Sequence, residues 1–190
     1  MSKFLALTVL VGLIGAYPLA IFADVAGSVA GNQDQIPSYT KKSATRVELL
    51  KLVITQGNPV DLHTLDQIKV TMLADYATVV DAGGVLLIRD DGGTPGKIDG
   101  TDTQVANASI SGGVATINLG DPLRSAINGI AAGETLTYFI AVNIAATAAD
   151  ASTVDARIDT GNITFNMDTT PLTFPSGAAF GGGQYITIDD

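Results

Sequence analysis

The chain has 190 residues, a length that suits one globular domain with an additional segment. Its 19 acidic and 10 basic residues give a formal net charge of -9, which argues against a nucleic-acid partner because phosphate binding requires clustered Lys and Arg. The absence of cysteine excludes disulfides, thiolate metal sites and thiol nucleophiles. The single histidine, His63, lies in a turn-like run, and we expect it to be a surface loop residue. We therefore expect a protein that is not an enzyme.

The chain opens on an apolar stretch from Phe4 to Ala23, and small residues continue it to Gly31 with Asp24 as the only charge. A span of about 20 apolar residues is long enough to cross a bilayer as a helix. The pattern predicts a hydrophobic N-terminal helix over residues 1–31, retained in the mature protein and held in the membrane before assembly.

Gly and Ala recur at every fourth position within this segment. On a helix such residues form rows that allow two backbones to approach closely, so the segment is predicted to pack against copies of itself. The first row is Gly12, Ala16 and Ala20, and the second is Ala23, Gly27 and Gly31.

A second interpretation of the same segment is a cleaved secretory signal. Lys3 would then be a minimal basic region, and the small residue Ala23 would precede a cleavage site before Asp24. Pro18 bears on the first interpretation, because it would kink the retained helix, and a helix bundle tolerates such a kink. Both the retained helix and the removed signal fit these residues.

A polar stretch follows the apolar segment. Pro37 cannot continue a helix, so residues 32–43 are predicted to be a linker and residues 44–190 a β-domain.

The β-domain is predicted from short runs of β-forming residues separated by Gly, Asp, Asn and Pro. Gly112-Gly113 predicts a tight hairpin, Thr160-Gly161 a second one, and residues 121–130 one short helix. The spacing is typical of an antiparallel β-sandwich. The predicted strands are Thr45–Thr55, Gln67–Leu73, Val85–Arg89, Gln104–Ser111, Val114–Leu119, Thr135–Ile144, Thr153–Ile158, Asn162–Met167 and Gln184–Ile188.

An Asp- and Gly-rich stretch after the third predicted strand indicates a possible calcium site. With Asp91 as position one of an EF-hand-like loop, Asp99 falls at nine and Asp102 at twelve. Gly96 falls at six, but positions three and five lack oxygen-bearing side chains. The alternative is a solvated turn between two strands.

Two tripeptides match the N-glycosylation acceptor pattern. They begin at Asn107 and Asn162, in a chain so rich in Ser and Thr that such matches also arise by chance.

The order of apolar helix, polar linker and Thr- and Gly-rich β-sandwich resembles the type IV pilin superfamily, especially archaeal-type pilins and archaellins. The resemblance covers the whole chain and rests on Phe4–Gly31, on the strand residues Val47–Leu52 and on the turn Gly57–Leu62. It implies that helices pack into a filament core while the sandwiches form the outer sheath. Leu5 departs from the Glu that bacterial type IV pilins usually carry, and Pro18 lies earlier than the family's helix kink.

These features predict a structural subunit of an extracellular, cell-surface filament that is a homopolymer with no required cofactor. The alternative is a secreted or membrane-tethered surface sandwich with a cleaved signal peptide. Such a protein can polymerise by donating an extended segment, residues 24–43, to the sheet edge of a neighbour.

Overall fold

The computed structural model describes residues 28–32, 36–55, 63–119, 129–130, 134–166, 172–174 and 178–189, and these residues are mainly β-structure. Within these ranges, no helix has the length and apolar character needed to span a membrane. In chain order the elements are β1 (Ser28–Asn32), β2 (Tyr39–Thr40), β3 (Val47–Thr55), β4 (His63–Ala74), α1 (Tyr76–Val79), β5 (Val80–Arg89), β6 (Thr103–Ala108), β7 (Ile110–Ser111), β8 (Val114–Asn118), β9 (Gly129–Ile130), β10 (Thr135–Ile144), β11 (Thr153–Ile158), β12 (Ile163–Asn166), β13 (Leu172–Phe174), β14 (Phe180–Gly181) and β15 (Ile186–Ile188).

The first sheet has five antiparallel strands in the order β1-β3-β10-β5-β6. The register between β3 and β10 shifts after Ile140, so Leu50 pairs with Ile140 and Glu48 with Ala141. Leu49 is the extra residue of this bulge. Because a bulge changes the alternation of faces, the consecutive residues Leu49 and Leu50 are both fully buried.

The second sheet is built around the long strand β4. One edge of β4 pairs with β8 and β9, and the other edge pairs first with β12 and then with β11. The sheet continues outward from β11 through β15 to β2, and the β15–β2 pair is parallel. The predicted Gly112-Gly113 hairpin is confirmed, because Ser111 pairs with Val114 and both glycines have a positive φ, 57° and 82°.

The hairpin predicted at Thr160-Gly161 is wrong. Arg157 of β11 pairs with Thr71, and Ile163 of β12 pairs with Ile68 farther back along the same edge of β4. The chain therefore continues in one direction along β4, and the residues between the two strands bulge out of the ladder. A polar residue followed by Gly indicates that the backbone changes direction there. Both a bulge loop and a hairpin contain such a change, so the dipeptide does not distinguish them.

The two sheets share one hydrophobic core. Leu52 and Tyr138 of the first sheet and Ile68 and Val154 of the second belong to the same buried cluster. This arrangement is consistent with the predicted antiparallel β-sandwich.

The boundaries predicted at the N-terminal end need correction. The predicted helix up to residue 27 lies outside the described residues, but residues 28–31 are part of strand β1 and are not helical. The predicted linker also contributes strands, because Asn32 belongs to β1 and Tyr39–Thr40 form β2. The open edge of β3 supplies backbone partners that a run of small residues accepts as a strand, and this pairing decides the local structure.

Two smaller predictions also differ from the structure. Gly129–Ile130, the end of the predicted short helix, form strand β9, while residues 120–128 lie outside the described residues. His63 is the first residue of β4 and pairs with Ile130, so its backbone is not in a loop.

Candidate functional site

Residues 90–102, which we call the acidic loop, connect β5 to β6 and cover the outer face of the first sheet. Ile98 of this loop packs against a small buried cluster on that face. The cluster consists of Leu86, Ile88, Phe139 and Ala141. Because the loop covers this face while the main core covers the other, the whole run Val85–Ile88 is buried.

The carboxylates of the acidic loop accept hydrogen bonds from the loop's own backbone. Asp99 Oδ2 accepts from the Thr94 N–H at 2.6 Å, and Asp99 Oδ1 accepts from the N–H and hydroxyl of Thr101 at 2.8 and 2.6 Å. The buried carboxylate of Asp102 accepts from the N–H groups of Asp99 at 2.7 Å and Asp91 at 3.2 Å. Asp90 Oδ2 accepts from the Gly96 N–H at 2.6 Å. These side chains therefore fix the path of the loop.

These contacts favour the ionised carboxylates. Hydrogen bonds from Thr101 and Thr94 lower the pKa of Asp99 to about 2. Desolvation by burial works to raise the pKa of Asp91, but hydrogen bonds from Thr103 and Arg89 outweigh it, so the pKa of Asp91 is lowered. Arg89 Nε lies 2.5 Å from Asp91 Oδ1.

Arg46, which precedes β3, fastens the acidic loop to the sheet. Its guanidinium donates to the main-chain oxygen of Asp99 at 2.9 Å and to that of Asp102 at 2.8 Å. Arg46 itself has a left-handed backbone with φ of 54°, and its N–H donates to Asn143 Oδ1 at 2.9 Å. A charged side chain thus holds two carbonyl oxygens of the loop.

The predicted calcium ligands Asp91, Asp99 and Asp102 do lie in one loop, but their carboxylates are engaged with N–H donors and with Arg89. Across the described ranges, no group of three or more His, Cys, Asp or Glu side chains has an arrangement that holds a metal ion. Calcium binding stays a prediction. The geometry accounts for the loop as a hydrogen-bonded cover over the sheet.

Glu48 of β3 is a half-buried acid on a strand, and sequence reasoning gave it no role. Its Oε1 is buried, and no hydrogen-bond partner for it is found among the described residues. Burial raises the pKa of Glu48 to about 7, and the nearby positive charge of Lys51 offsets part of this effect. Glu48 therefore titrates near neutral pH.

The first strand lies in a narrow space that we call the β1 slot, formed by the edge of β3 at residues 51–55 and the ring of Phe180. The register runs from Ser28 opposite Thr55 to Asn32 opposite Lys51. Phe180 belongs to β14, which pairs with β11 of the second sheet. A Cβ built on Gly31 would lie 2.6 Å from Phe180 Cγ, a distance that real Cβ atoms do not show. The slot therefore accepts only glycine at this position.

Gly31 is thus placed in a strand and not in a helix-packing row. The other residues predicted to pack helices, Gly12, Ala16, Ala20, Ala23 and Gly27, lie outside the described residues. The close contact under Phe180 gives a physical reason for a small residue at position 31 that does not depend on a helix.

The two predicted glycosylation residues lie at different places. Asn107 is exposed on β6, and its amide donates to the Gly83 carbonyl oxygen at 3.3 Å. Asn162 closes the bulge between β11 and β12, where its N–H donates to the Asp159 carbonyl oxygen at 3.1 Å.

Sequence reasoning missed Arg46 and Phe180. Each acts on residues far away in the chain, Arg46 on Asp99 and Asp102 and Phe180 on Gly31. No local spacing signals such pairs, because motif patterns describe neighbours along the sequence.

Comparison with protein-family models gives no match, and comparison with curated proteins gives none either.

Proposed function

We propose that this chain is a non-enzymatic structural subunit of an extracellular filament, an antiparallel β-sandwich whose N-terminal segment makes the contact between copies. The observation that carries the proposal is that the apolar segment leads directly into β1, an edge strand of the first sheet. A contact between copies that fixes the apolar segment would therefore also fix the position of the β-domain.

The surface chemistry of the chain supports an exposed position for the β-domain. The net charge of -9 favours solubility of the outer sheath, and the acidic loop places carboxylates on the outer face of the first sheet while Ile98 points inward. In this proposal the subunit is first held in the membrane. It then assembles with other copies of the same chain.

In the first mode of assembly, residues 1–27 form a retained hydrophobic helix, and the helices of many copies make the filament core. The small residues from Gly12 to Gly27 and the resemblance to archaeal-type pilins support this mode. Since β1 begins at Ser28, the helix ends no later than Gly27.

A second candidate is a secreted or tethered surface protein that polymerises by strand donation after removal of a signal peptide. One specific observation favours it. Residues 28–32, within the segment expected to be donated, already form an edge strand with β3.

The test is negative-stain microscopy of the full chain beside a double variant, Gly12→Leu with Ala16→Leu. Bulk on the small-residue face pushes helices apart, so we expect filaments from the wild type and none from the double variant. Ala6→Leu is the control, because it adds the same side chain away from that row. N-terminal sequencing of the mature protein accompanies the microscopy.

A mature chain that starts at Asp24, with filaments unaffected by the double variant, would eliminate the helical core and leave strand donation. Absence of any polymer from the wild-type chain would eliminate the filament function itself.

A further inference from the structure

We infer that β1 is an exchanged strand, seated in the assembly in the β1 slot of a second copy of this chain, with Gly31 beneath the partner's Phe180 setting the register. This inference rests on the proposed filament function in its strand-donation form, and it specifies the contact between copies.

The slot recognises a strand by backbone and by shape. The edge of β3 offers its N–H and C=O groups over residues 51–55, and Leu52 and Ile54 of this edge are buried core residues. Phe180 packs against the face of β1 to which a side chain at position 31 would point, and it leaves room only for hydrogen there. A strand shifted by one residue would place Ala30 or Asn32 under the ring, so the slot accepts one register.

The connectivity makes β1 separable from the rest of the fold. In the described sheets β1 pairs with β3 alone, while the next strand, β2, pairs with β15 of the other sheet. The intervening residues 33–38 span at most about 20 Å. β1 and β2 belong to different sheets, so within the described residues only the β1–β3 ladder holds β1 in its sheet by backbone pairing. β1 is the first strand of the described residues and lies at the edge of its sheet, so its departure breaks no strand pair other than β1–β3.

A second copy is the occupant that the slot fits, because every copy carries the same strand with glycine at the required position. The donated strand and the accepting slot are different surfaces, so each subunit gives one strand and receives one. Such a head-to-tail contact builds an open chain when it does not close into a ring.

The chain contains no cysteine, which allows a direct test by disulfide trapping. Ala30 lies opposite Val53, and residues paired across antiparallel strands have Cα atoms about 4.5–5.5 Å apart, within the range that a disulfide spans. We would co-express two differently tagged full-length chains, one with Ala30→Cys and the other with Val53→Cys, and oxidise them mildly.

A disulfide-linked dimer of the two tagged chains on a non-reducing gel is the expected result, at a yield at least tenfold above that with Lys69→Cys, an exposed position on the second sheet. The double variant Ala30→Cys with Val53→Cys is expected to give a ladder of linked oligomers. If the double variant runs as an internally linked monomer and the mixed chains stay unlinked, β1 remains in its own slot and the inference is overturned.

Size complementation across chains tests the register. Adding Gly31→Val to the Ala30→Cys chain should reduce the linked dimer at least fivefold, whereas Gly100→Val, at a glycine that faces open space, should not. Phe180→Ala in the Val53→Cys chain should then restore the dimer, because the missing ring makes room for the valine. Failure of this rescue while the original pair still links would refute the role of Phe180.

Microscopy of the same samples separates this inference from the proposed function. Filaments without linkage between chains would reject strand exchange and retain the filament. Linked dimers without filaments would retain the exchange and reject the filament.

Discussion

The guanidinium of Arg46 donates to the main-chain oxygen of Asp99 at 2.9 Å, although the two residues are far apart in the sequence. With the second bond to the Asp102 oxygen, this contact fastens the acidic loop to the start of β3. The position of the loop over the sheet therefore depends on one side chain outside it.

Replacing Arg46 with Gln should destabilise the domain. Hydrogen bonds from a charged group contribute about 1.5–3 kcal/mol each, and we expect a loss of about 1–3 kcal/mol in the free energy of unfolding because these bonds are only partly buried. Urea unfolding measures the change. Arg157→Gln is the matched control, since its ion pair with Asp159 is about 40% exposed on both sides and such pairs contribute about 0–1 kcal/mol.

The same variant tests the predicted calcium site. If Arg46 and Arg89 supply the positive charge that the loop's carboxylates need, chelator and millimolar calcium should leave the wild-type Tm equal, and calcium should not restore the Arg46→Gln variant. A fall of the wild-type Tm in chelator, reduced by Asp99→Asn, would instead establish a bound cation by mass action.

Replacing Gly93 with Ala should also open the acidic loop. Gly93 has a left-handed backbone with φ of 67°, and a Cβ built on it would collide with the carboxylate of Asp99. We expect a loss of at least about 1 kcal/mol, because strain and the displaced carboxylate act together. Gly100→Ala in the same loop meets no heavy atom within 4 Å, and its effect on urea unfolding should stay within about 0.5 kcal/mol. Equal effects of the two substitutions would contradict this account.

Replacing Ile98 with Ala should uncover the outer face of the first sheet. Leu86 and Phe139 would lose part of their cover, and we expect a loss of about 1–3 kcal/mol with increased binding of a hydrophobic dye. The exposed neighbour Lys97, changed to Ala, should leave both measurements near wild type. A stable Ile98→Ala domain with unchanged dye binding would show that the loop is not needed as a cover.

The stability of the domain should fall as the pH rises towards neutrality because of Glu48. The folded state raises the pKa of Glu48 from 4.5 to about 7, so it holds this proton more tightly than the unfolded chain does. The stabilisation is complete below about pH 4.5 and is lost as the pH rises through about 7. We expect Glu48→Gln to flatten the dependence between these values and to exceed the wild type in stability at pH 8.

Urea unfolding at several pH values measures this effect, and Glu134→Gln, at an exposed residue, is the control. An unchanged slope in Glu48→Gln would assign the pH dependence to another group.

The strands were predictable where local chemistry determines them. Gly112 and Gly113 both need a positive φ in a two-residue turn, and glycine supplies it, so the sequence and the structure agree there. The alternation within β8 and β11 likewise marks two central strands of the second sheet. Such signals lie within a few residues of one another.

The remaining features depend on distant partners. Gly31 continues the four-residue spacing of Ala23 and Gly27 that suits a helix, yet the open edge of β3 makes residues 28–31 a strand. The bulge at Gly161 forms because β11 and β12 pair with the same edge of β4. No residue near Gly161 in the sequence indicates where that edge lies. Arg46 and Phe180 reach their partners only after the sheets have formed, so the candidate site was predicted only as far as its acidic residues.

In the β1 slot, Gly31 is covered by Phe180, a residue that comes much later in the sequence. During synthesis β1 therefore emerges long before the ring that covers it. Throughout that interval the β1 slot of the nascent chain is incomplete. If β1 is exchanged as proposed, a mature subunit that has donated its own strand offers a complete slot. Under the proposed exchange, the order of synthesis would therefore favour capture of β1 by a neighbour over closure within the chain.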